Sequence, residues 1–268
     1  MSKTLERSSD PEDYDRLAQP IGAMSASFAD GDTIPWHRHR RDQLLYAVSG
    51  IMRLEARRRA WVVPPDGAIW IPGGTEHKLR MFGSVEMRTL YVDAAMIRQR
   101  PRPLSVIAVS NLLRELILAL TEEPMAYEPH SRAAHIARMI EFEIGLAREL
   151  ALHVPLPSDP RLQALCAALL ADPSDDRTLE GWSQTAGASA RTLARLFDHD
   201  LGIGFTEWRQ RARFHGAMEA LSRGQPVAVA ARRHGYNSPS AFAAAFKKVM
   251  GITPSSVHAG KHLPKMRV

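Results

Sequence analysis

Two stretches in the last third of the chain decide the fold. Residues 186–197 read AGASARTLARLF, and residues 235–246 read GYNSPSAFAAAF. Each has a glycine where the chain can turn with a positive φ, then a serine able to cap the next helix. A short helix is predicted before each turn, over 179–186 and 227–233, so each segment is predicted to be a helix-turn-helix. The side chains expected to face inward are Leu193, Phe197, Phe242 and Phe246.

One long helix is predicted between the two segments, over residues 206–222. At 1.5 Å per residue such a helix spans about 25 Å, long enough to hold two recognition helices about one DNA turn, ~34 Å, apart. Residues 177–268 carry 14 Lys and Arg against 5 Asp and Glu, whereas the whole chain has a net charge of +6. The positive charge is therefore concentrated in this part of the chain, which predicts a polyanionic partner for it alone.

These stretches resemble the AraC/XylS family of transcription regulators. The resemblance covers about 173–259 and includes the two turn glycines, the Arg-Leu-Phe trio at 195–197 and the closing Gly-x-x-Pro at 251–254. It implies an all-α domain that inserts two recognition helices into successive major grooves of double-stranded DNA, usually near a promoter. It further implies RNA polymerase as a partner, and activation more often than repression.

The first recognition helix is predicted to read bases. Its periodicity turns Arg191, Ala194 and Arg195 outward, and these match the base-reading positions of the family. The planar fork of arginine can bond O6 and N7 of guanine together. A phosphate contact is the alternative role for either arginine.

The second recognition helix is predicted to read bases poorly. Three alanines at 243–245 stand where longer polar readers would be expected, so this helix should supply phosphate contacts and contacts of alanine with thymine methyl groups. Its helix amides and two lysines are the expected phosphate ligands. The residues assigned to DNA by these arguments are Ser189, Arg191, Ala194, Arg195, Asn237, Ser238, Ser240, Ala244, Lys247 and Lys248.

The sequence pattern in the first third of the chain predicts β-strands. Short apolar or alternating runs over residues 20–93 are separated by turn residues, which is typical of a small antiparallel barrel or a double-sheet sandwich. Within it, Gly31, His37-x-His39, Gln43 and Gly50 form one motif, and Pro72-x-Gly74-x-x-His77 forms a second. Together they resemble the two motifs of the cupin β-barrel.

The cupin resemblance implies a metal site of two close histidines, a glutamate and a distant histidine. Residues i and i+2 of a strand point the same way, so His37 and His39 can face one interior. Gln43 holds the glutamate position, and its neutral amide should weaken the binding of a dication. Two roles stay open: His37, His39 and His77 bind a divalent transition metal, or they line an organic-ligand pocket without metal. The residues assigned to effector binding are His37, His39, Gln43, Tyr46 and His77.

The middle of the chain has a helical pattern. Apolar residues spaced by three and four predict a seam on one helix, and a second helix is expected over 131–152. The seam either joins two copies of the chain or packs in an intrachain hairpin with the second helix. Prolines at 155, 157 and 160 predict a stiff linker. The seam residues assigned to dimerisation are Val106, Val109, Leu113, Leu116 and Leu120.

The predicted fold class is multidomain α+β, in three parts. A cupin-like β-barrel that senses an effector occupies residues 1–100, a helical dimerisation and linker segment occupies 101–157, and an all-α double helix-turn-helix domain occupies 158–268. No stretch approaches the ~20 apolar residues of a membrane span, and the N-terminus lacks the apolar core of a signal peptide, so a cytoplasmic protein is expected.

The function predicted is that of a ligand-responsive, sequence-specific transcription regulator that forms a homodimer. One rival is a metal-dependent cupin enzyme carrying a nucleic-acid-binding module. Gln43 and the lack of an evident acid/base pair beside the histidines count against it, so no catalytic residue is predicted. Another rival is a constitutive DNA-binding protein whose barrel serves only as a dimerisation scaffold.

Overall fold

The computed structural model describes residues 8, 10–64, 67–97, 100–150 and 152–258, in two compact units. The first unit contains the described residues up to 52 and from 63 to 150. The second contains Arg53–Val62 and the residues from 152 onward. Most of the segment predicted to connect two domains, residues 101–150, therefore belongs to the first unit.

The first unit is built on an antiparallel sheet. A short helix, α1 (Pro11–Asp15), precedes it, capped by Asp10. The strands up to residue 150 are β1 (Ile21–Phe28), β2 (Thr33–His37), β3 (Asp42–Ala56), β4 (Arg59–Val63), β5 (Gly67–Ile71), β6 (His77–Val92), β7 (Ser105–Ala108) and β8 (Glu149–Leu150). They pair in the order β1-β6-β3-β5-β7-β8, and β2 pairs with β6. The end of β3 and all of β4 except its last residue belong to the second unit.

One face of this sheet is covered by two helices, α2 (Asn111–Glu122) and α3 (Arg132–Leu146). Ser110 and Ser131 cap them by accepting hydrogen bonds from the third helical amide. Alternate residues of the strands meet the apolar faces of the helices in one cluster, and each fully buried Leu or Ile contributes about 1.5–3 kcal/mol to folding. Its members include Leu44, Tyr46, Trp70, Leu90, Leu113, Ile117, Leu120, Ile136 and Ile140.

The predicted helical seam is wrong at its start. Val106 lies in β7, where it pairs with Ile69 of β5, and Val109 lies between β7 and the start of α2. The run Val106-Ile107 is β-branched and favours a pleated surface, and the ladder with β5 outweighs the helical spacing.

The remaining seam residues pack inside the chain. Leu113 and Leu120 are buried against α3 and the sheet, and Leu116 is partly buried against the same core. Of the two alternatives for the seam, the structure therefore shows the intrachain hairpin. Side chains buried in this way present no surface to a second copy.

Two other boundaries differ from those expected. α3 ends at Leu146 rather than near 152, and the proline segment begins with a strand, β9 (His153–Pro155), which pairs with β4. Pro155 is tolerated because β9 pairs with β4 alone, so its missing N–H breaks no second ladder. Pro160 takes the first position of the following helix, where its N–H is not needed.

The second unit is mainly helical. Its helices are α4 (Pro160–Ala171), α5 (Leu179–Ser183), α6 (Ala190–Leu196), α7 (Phe205–Ser222), α8 (Val227–Arg233), α9 (Pro239–Met250) and α10 (Pro254–His258). A π-helical turn, Phe197–Leu201, follows α6. The two helix-turn-helix segments and the long helix between them are as predicted, although α5 ends three residues earlier. Gly187 and Gly235 have φ values of +64° and +78°, as the turns require.

The core of the first helix-turn-helix forms around Trp208, which is fully buried beside Phe197 and Leu193. Its indole Nε1 donates to the carbonyl oxygen of Pro155 at 2.9 Å. In the part of the chain that the structure describes, no helix has both the length and the apolar character needed to cross a bilayer.

Candidate effector and DNA sites

Three histidines meet at one place in the first unit. His37 ends β2 and pairs across the ladder with His77, which begins β6, and His39 follows two residues after His37. The ring centroids of His37 and His77 lie 4.2 Å apart, and that of His39 lies 4.9 Å from His37. One nitrogen of each ring can serve as a ligand, with all three within 4.8 Å of one another. The spacing of the histidines in the sequence correctly predicted this cluster.

Backbone carbonyls orient two of the rings. Nδ1 of His37 is 2.7 Å from the carbonyl oxygen of Pro35, and Nδ1 of His77 is 2.9 Å from that of Thr75. Because a carbonyl only accepts, each Nδ1 carries the proton and each Nε2 keeps its lone pair for another partner. Nε2 of His77 is buried and has no hydrogen-bond partner in the structure.

Burial favours the neutral form of two of the rings, His77 and His39. Burial is the largest cause that lowers the pKa of His77, to about 4, and the neighbouring His37 and His39 lower it further. Burial, followed by His37, lowers the pKa of His39 as well. Metal binding requires a deprotonated imidazole nitrogen, so at neutral pH these two rings need not lose a proton first.

Two tyrosines and Gln43 adjoin the cluster. The Tyr91 ring lies edge-on to His39 at 5.4 Å between centroids, and Tyr14 of α1 stacks on Tyr91 at 5.0 Å. Burial raises the pKa of Tyr91, while a hydrogen bond with the Gln43 side chain acts in the opposite direction. Oε1 of Gln43 is buried without a hydrogen-bond partner. The motif spacing gave no indication of Tyr14 or Tyr91, because neither belongs to it.

Tyr46 does not join the site. It lies on β3 three residues after Gln43, and side chains alternate along a strand, so the two point to opposite faces. Tyr46 packs in the core beneath α2 and α3. Its assignment to the effector site is therefore corrected: it is a core residue.

The residues present fit a divalent transition metal. Three imidazole nitrogens at mutual ligand distance, one of them buried and unpartnered, form a donor set suited to Zn, Fe, Ni or Cu. The two carbonyls that hold Nδ1 are the outer partners expected of metal-binding histidines. A three-histidine set leaves coordination positions open for a ligand.

The first recognition helix presents its arginines outward. Ser189 caps α6 by accepting a hydrogen bond from the amide of Thr192 at 3.2 Å. Leu193 is fully buried, whereas Arg191 and Arg195 are exposed and Ala194 is partly exposed. The structure thus places the side chains predicted to read bases on the free face of a capped helix.

The second recognition helix presents a mostly apolar free face. Ser238 caps α9 through the amide of Ala241 at 3.3 Å, and Phe242 and Phe246 are buried beneath it. Alanines at 243–245 are exposed or partly exposed, and they carry no polar group. The exposed polar positions assigned to DNA are Asn237 and Ser240 near the start of α9 and Lys247 and Lys248 in its last turn.

Three arginines of α7 have a structural role that the charge count did not show. Arg213 donates from Nε to the carbonyl oxygen of Pro173 at 2.7 Å, and Arg211 donates to that of His153 at 3.1 Å. Arg209 donates to the carbonyl oxygen of Arg177. Part of the positive charge of this unit is thus carried by arginines whose side chains donate to its own backbone carbonyls.

Two domain families match the chain. A helix-turn-helix domain family matches residues 182–259, which include α6 and α9. A cupin domain family matches residues 24–93, which include all three histidines of the cluster.

Similar proteins include named transcription regulators. The HTH-type transcriptional regulator NimR of Escherichia coli K12 is 31% identical over 222 residues, which cover 83% of this chain and 81% of that protein. The arabinose operon regulatory protein of the same strain is 33% identical over 113 residues, 41% of this chain and 37% of that protein. Among solved structures, ToxT of Vibrio cholerae aligns over 90% of this chain and 99% of its own, with 11% identity and a TM-score of 0.38.

Proposed function

Because this chain belongs to the AraC-type helix-turn-helix family of transcription regulators, we propose that its DNA affinity or its promoter activity is controlled by a small molecule at the histidine cluster. In this proposal α6 and α9 contact double-stranded DNA, and the cluster of His37, His39 and His77 binds the effector. No residue is assigned a catalytic role. The protein acts in the cytoplasm beside RNA polymerase.

The observation that carries the DNA-binding assignment is the two-sided character of α6. Leu193 fixes its inner face in the core, and Arg191 and Arg195 leave its outer face as exposed cations. The Ser189 cap satisfies the amide of Thr192 and fixes where α6 begins, and the exposed N-terminal part of a recognition helix is the part that contacts bases in a major groove. We assign Arg195 to a base contact, and Arg191 to a base or a phosphate.

α9 takes the supporting role. The alanines of its outer face offer methyl contacts only, and Lys247 and Lys248 offer charge to phosphates. Asn237, Ser238 and Ser240 surround the N-terminal end of α9, where backbone amides can also bind a phosphate.

The effector assignment rests on Nε2 of His77, a buried acceptor with no hydrogen-bond partner in the structure. A buried polar atom without a partner costs about 1–3 kcal/mol, so a ligand that bonds to it gains that amount. His37, His39 and His77 would hold a divalent metal, and the metal would supply a Lewis-acidic centre for the effector. An effector can shift the protein between states only by binding one of them more tightly.

A homodimer is the proposed assembly, through a surface other than the predicted seam. The outer face of α3 carries a stripe of exposed apolar side chains, Met139, Phe142 and Leu146, with exposures of 43%, 50% and 79%. Leu112 of α2 is 48% exposed. Apolar side chains in such a group are typical of protein interfaces, and dimerisation would double the DNA contact surface.

The test of DNA recognition is fluorescence anisotropy with the full-length protein. The probes are DNA fragments from upstream of its own gene and its neighbour, with excess nonspecific competitor. Arg195→Ala is expected to weaken binding to the preferred fragment by ~1–3 kcal/mol and to relax the preference at one base pair. The control is Arg138→Ala, which removes an exposed arginine of α3.

Each alternative result is informative. If Arg195→Ala weakens binding equally on every sequence, Arg195 is a phosphate contact. If competitor removes binding from every fragment, the protein has only a basic surface, and the assignment of α6 to base contacts is wrong.

A further inference from the structure

The donor set of the histidine cluster carries no negative charge. Within the described residues, the side chains that can jointly hold a metal are His37, His39 and His77, and no carboxylate is among them. Gln43, with its buried and unpartnered Oε1, occupies the motif position at which a glutamate would supply a charge. Imidazole and amide donors are neutral, so these residues would leave both positive charges of a dication uncompensated.

Two acidic side chains near the cluster, Asp15 and Asp42, make their hydrogen bonds outside it. Asp15 accepts hydrogen bonds from the backbone amides of Arg40 and Arg41, all at 3.1 Å. Asp42 accepts from the amide of Gly73 at 2.7 Å and pairs with Arg100 at 3.3 Å. Neither carboxylate is therefore free to move into the cluster and neutralise a bound cation.

Exposed charged residues flank the histidines in the chain, with more positive than negative charge. Arg38 stands between His37 and His39, Arg40 follows His39, and both are exposed. Glu76, also exposed, precedes His77 and offsets one of these two positive charges. Like charges around a recessed site raise the local concentration of ligands of opposite sign.

We propose that the effector is a small organic anion with two oxygens able to bind one metal ion, such as a dicarboxylate or a 2-hydroxy or 2-oxo acid. This inference rests on the proposed effector role of the cluster. Gln43 determines the ligand class, because its neutral side chain leaves the negative charge of the site to be supplied by the ligand. A neutral polyol would leave a buried charge uncompensated, which is costly in a site of low dielectric.

The test uses Co(II), whose visible absorption reports its ligands, with the full-length protein. Oxalate serves as the chelating anion, and oxamide serves as a neutral molecule of nearly the same shape. The wild-type protein is expected to bind Co(II), and oxalate is expected to change the spectrum with an affinity at least about tenfold higher than that of oxamide. His77→Ala should lose most of the Co(II) binding.

Gln43→Glu is the decisive variant, because it adds one negative charge with little change in shape. It is expected to bind Co(II) more tightly and oxalate at least about tenfold more weakly than the wild type. Since Gln43 is buried, circular dichroism should first confirm that the variant is folded. The comparison of oxalate with oxamide on the wild type needs no variant.

Four results would overturn the inference. If oxalate and oxamide bind alike, or a folded Gln43→Glu variant binds oxalate as well as the wild type, the ligand class is wrong and the metal site stands. If oxalate binds equally without Co(II), the anion does not reach the site through a metal. If the wild type binds no Co(II), the proposed metal site is wrong as well. A failure of the DNA-binding proposal can be told apart from these results, because only the anisotropy assay measures DNA binding.

Discussion

Gly216 of α7 lies directly against the ring of His234, the residue that follows α8. A Cβ atom at Gly216 would come within 2.8 Å of His234 Nε2. The ring cannot easily move away, because its Nδ1 is held 2.8 Å from the carbonyl oxygen of Ala230 and the residue is buried. The missing side chain therefore lets the second helix-turn-helix pack closely on the long helix.

Gly216→Ala is expected to destabilise the protein by about 1–3 kcal/mol, although alanine is the better helix former by ~1 kcal/mol. The control is Gly181→Ala in α5, where a Cβ would meet nothing closer than the Arg177 side chain at 3.4 Å. That variant should be neutral or more stable by roughly 0.5–1 kcal/mol. Urea unfolding measures both, and equal stabilisation of the two variants would contradict the close contact at Gly216.

Lys247 and Lys248 lie exposed in the last turn of α9. If each neutralises one phosphate, Lys247→Ala and Lys248→Ala should each reduce the magnitude of the slope of log K against log salt by roughly one unit. Lys78→Ala, in the first unit, should leave the slope unchanged. Anisotropy titrations at several salt concentrations measure the slopes. A lysine whose removal does not change the slope makes no phosphate contact.

His215 is buried in α7, and burial is the first cause that lowers its pKa, to about 3, with Arg53, His153 and Arg211 acting in the same direction. The unfolded chain takes up this proton near pH 6.5, and the folded protein does so only near pH 3. The unfolded state therefore binds more protons between these values, and stability falls as the pH decreases through this range.

At 1.36 kcal/mol per pH unit, His215 should cost about 2 kcal/mol of stability between pH 6.5 and pH 5. The loss of unfolding free energy between pH 7 and pH 5 should therefore be smaller in His215→Asn than in the wild type, and the two losses should differ by roughly this amount. His130→Asn, at an exposed site, is the control and should keep the wild-type difference. An unchanged difference in His215→Asn would mean that the His215 ring is already accessible to protons in the folded protein.

The apolar stripe of α3 predicts that the protein forms a homodimer through this helix. Replacing Phe142 and Leu146 together with Asp should convert a dimer to a monomer, because two charges would have to be buried in the interface. Sedimentation equilibrium measures the mass. Leu170→Asp, at another exposed leucine in α4, is the control and should remain dimeric. If the double variant remains dimeric, or the wild type is monomeric, the stripe is not the dimer interface.

The helix-turn-helix segments were predictable because their signals are local. Gly187 and Gly235 must adopt a positive φ, and Ser189 and Ser238 cap the helix that starts next to them. Each of these features depends on neighbours within a few residues. The sequence therefore predicted α8 to the residue.

Features that depend on pairing between residues far apart in the sequence were harder to predict. Val106 has the spacing of a helical seam, but a ladder with Ile69 of β5 holds it in a strand. The strand of Pro155 forms only because β4 pairs with it. Nothing in the residues adjacent to either position identifies these partners.

In the candidate site, too, the residues with local signals were predictable and those placed by long-range packing were not. The spacing of His37, His39 and His77 predicted the cluster, since it comes from a known motif and from strand alternation. Alternation also excludes Tyr46, because it is an odd number of residues from Gln43 on β3, so its assignment to effector binding was wrong. Tyr14 reaches the site only because α1 folds back onto Tyr91.

The alanine face of α9 has a consequence for the DNA sequences that this regulator selects. A face without hydrogen-bonding side chains tolerates most bases opposite it, whereas arginines that read bases, the role proposed for those of α6, would not. Aligned binding sites should therefore show high information content in one major-groove segment and little in the next. Base substitutions in the second segment should accumulate among natural sites with little loss of affinity, so a search for operators should weight the two segments unequally.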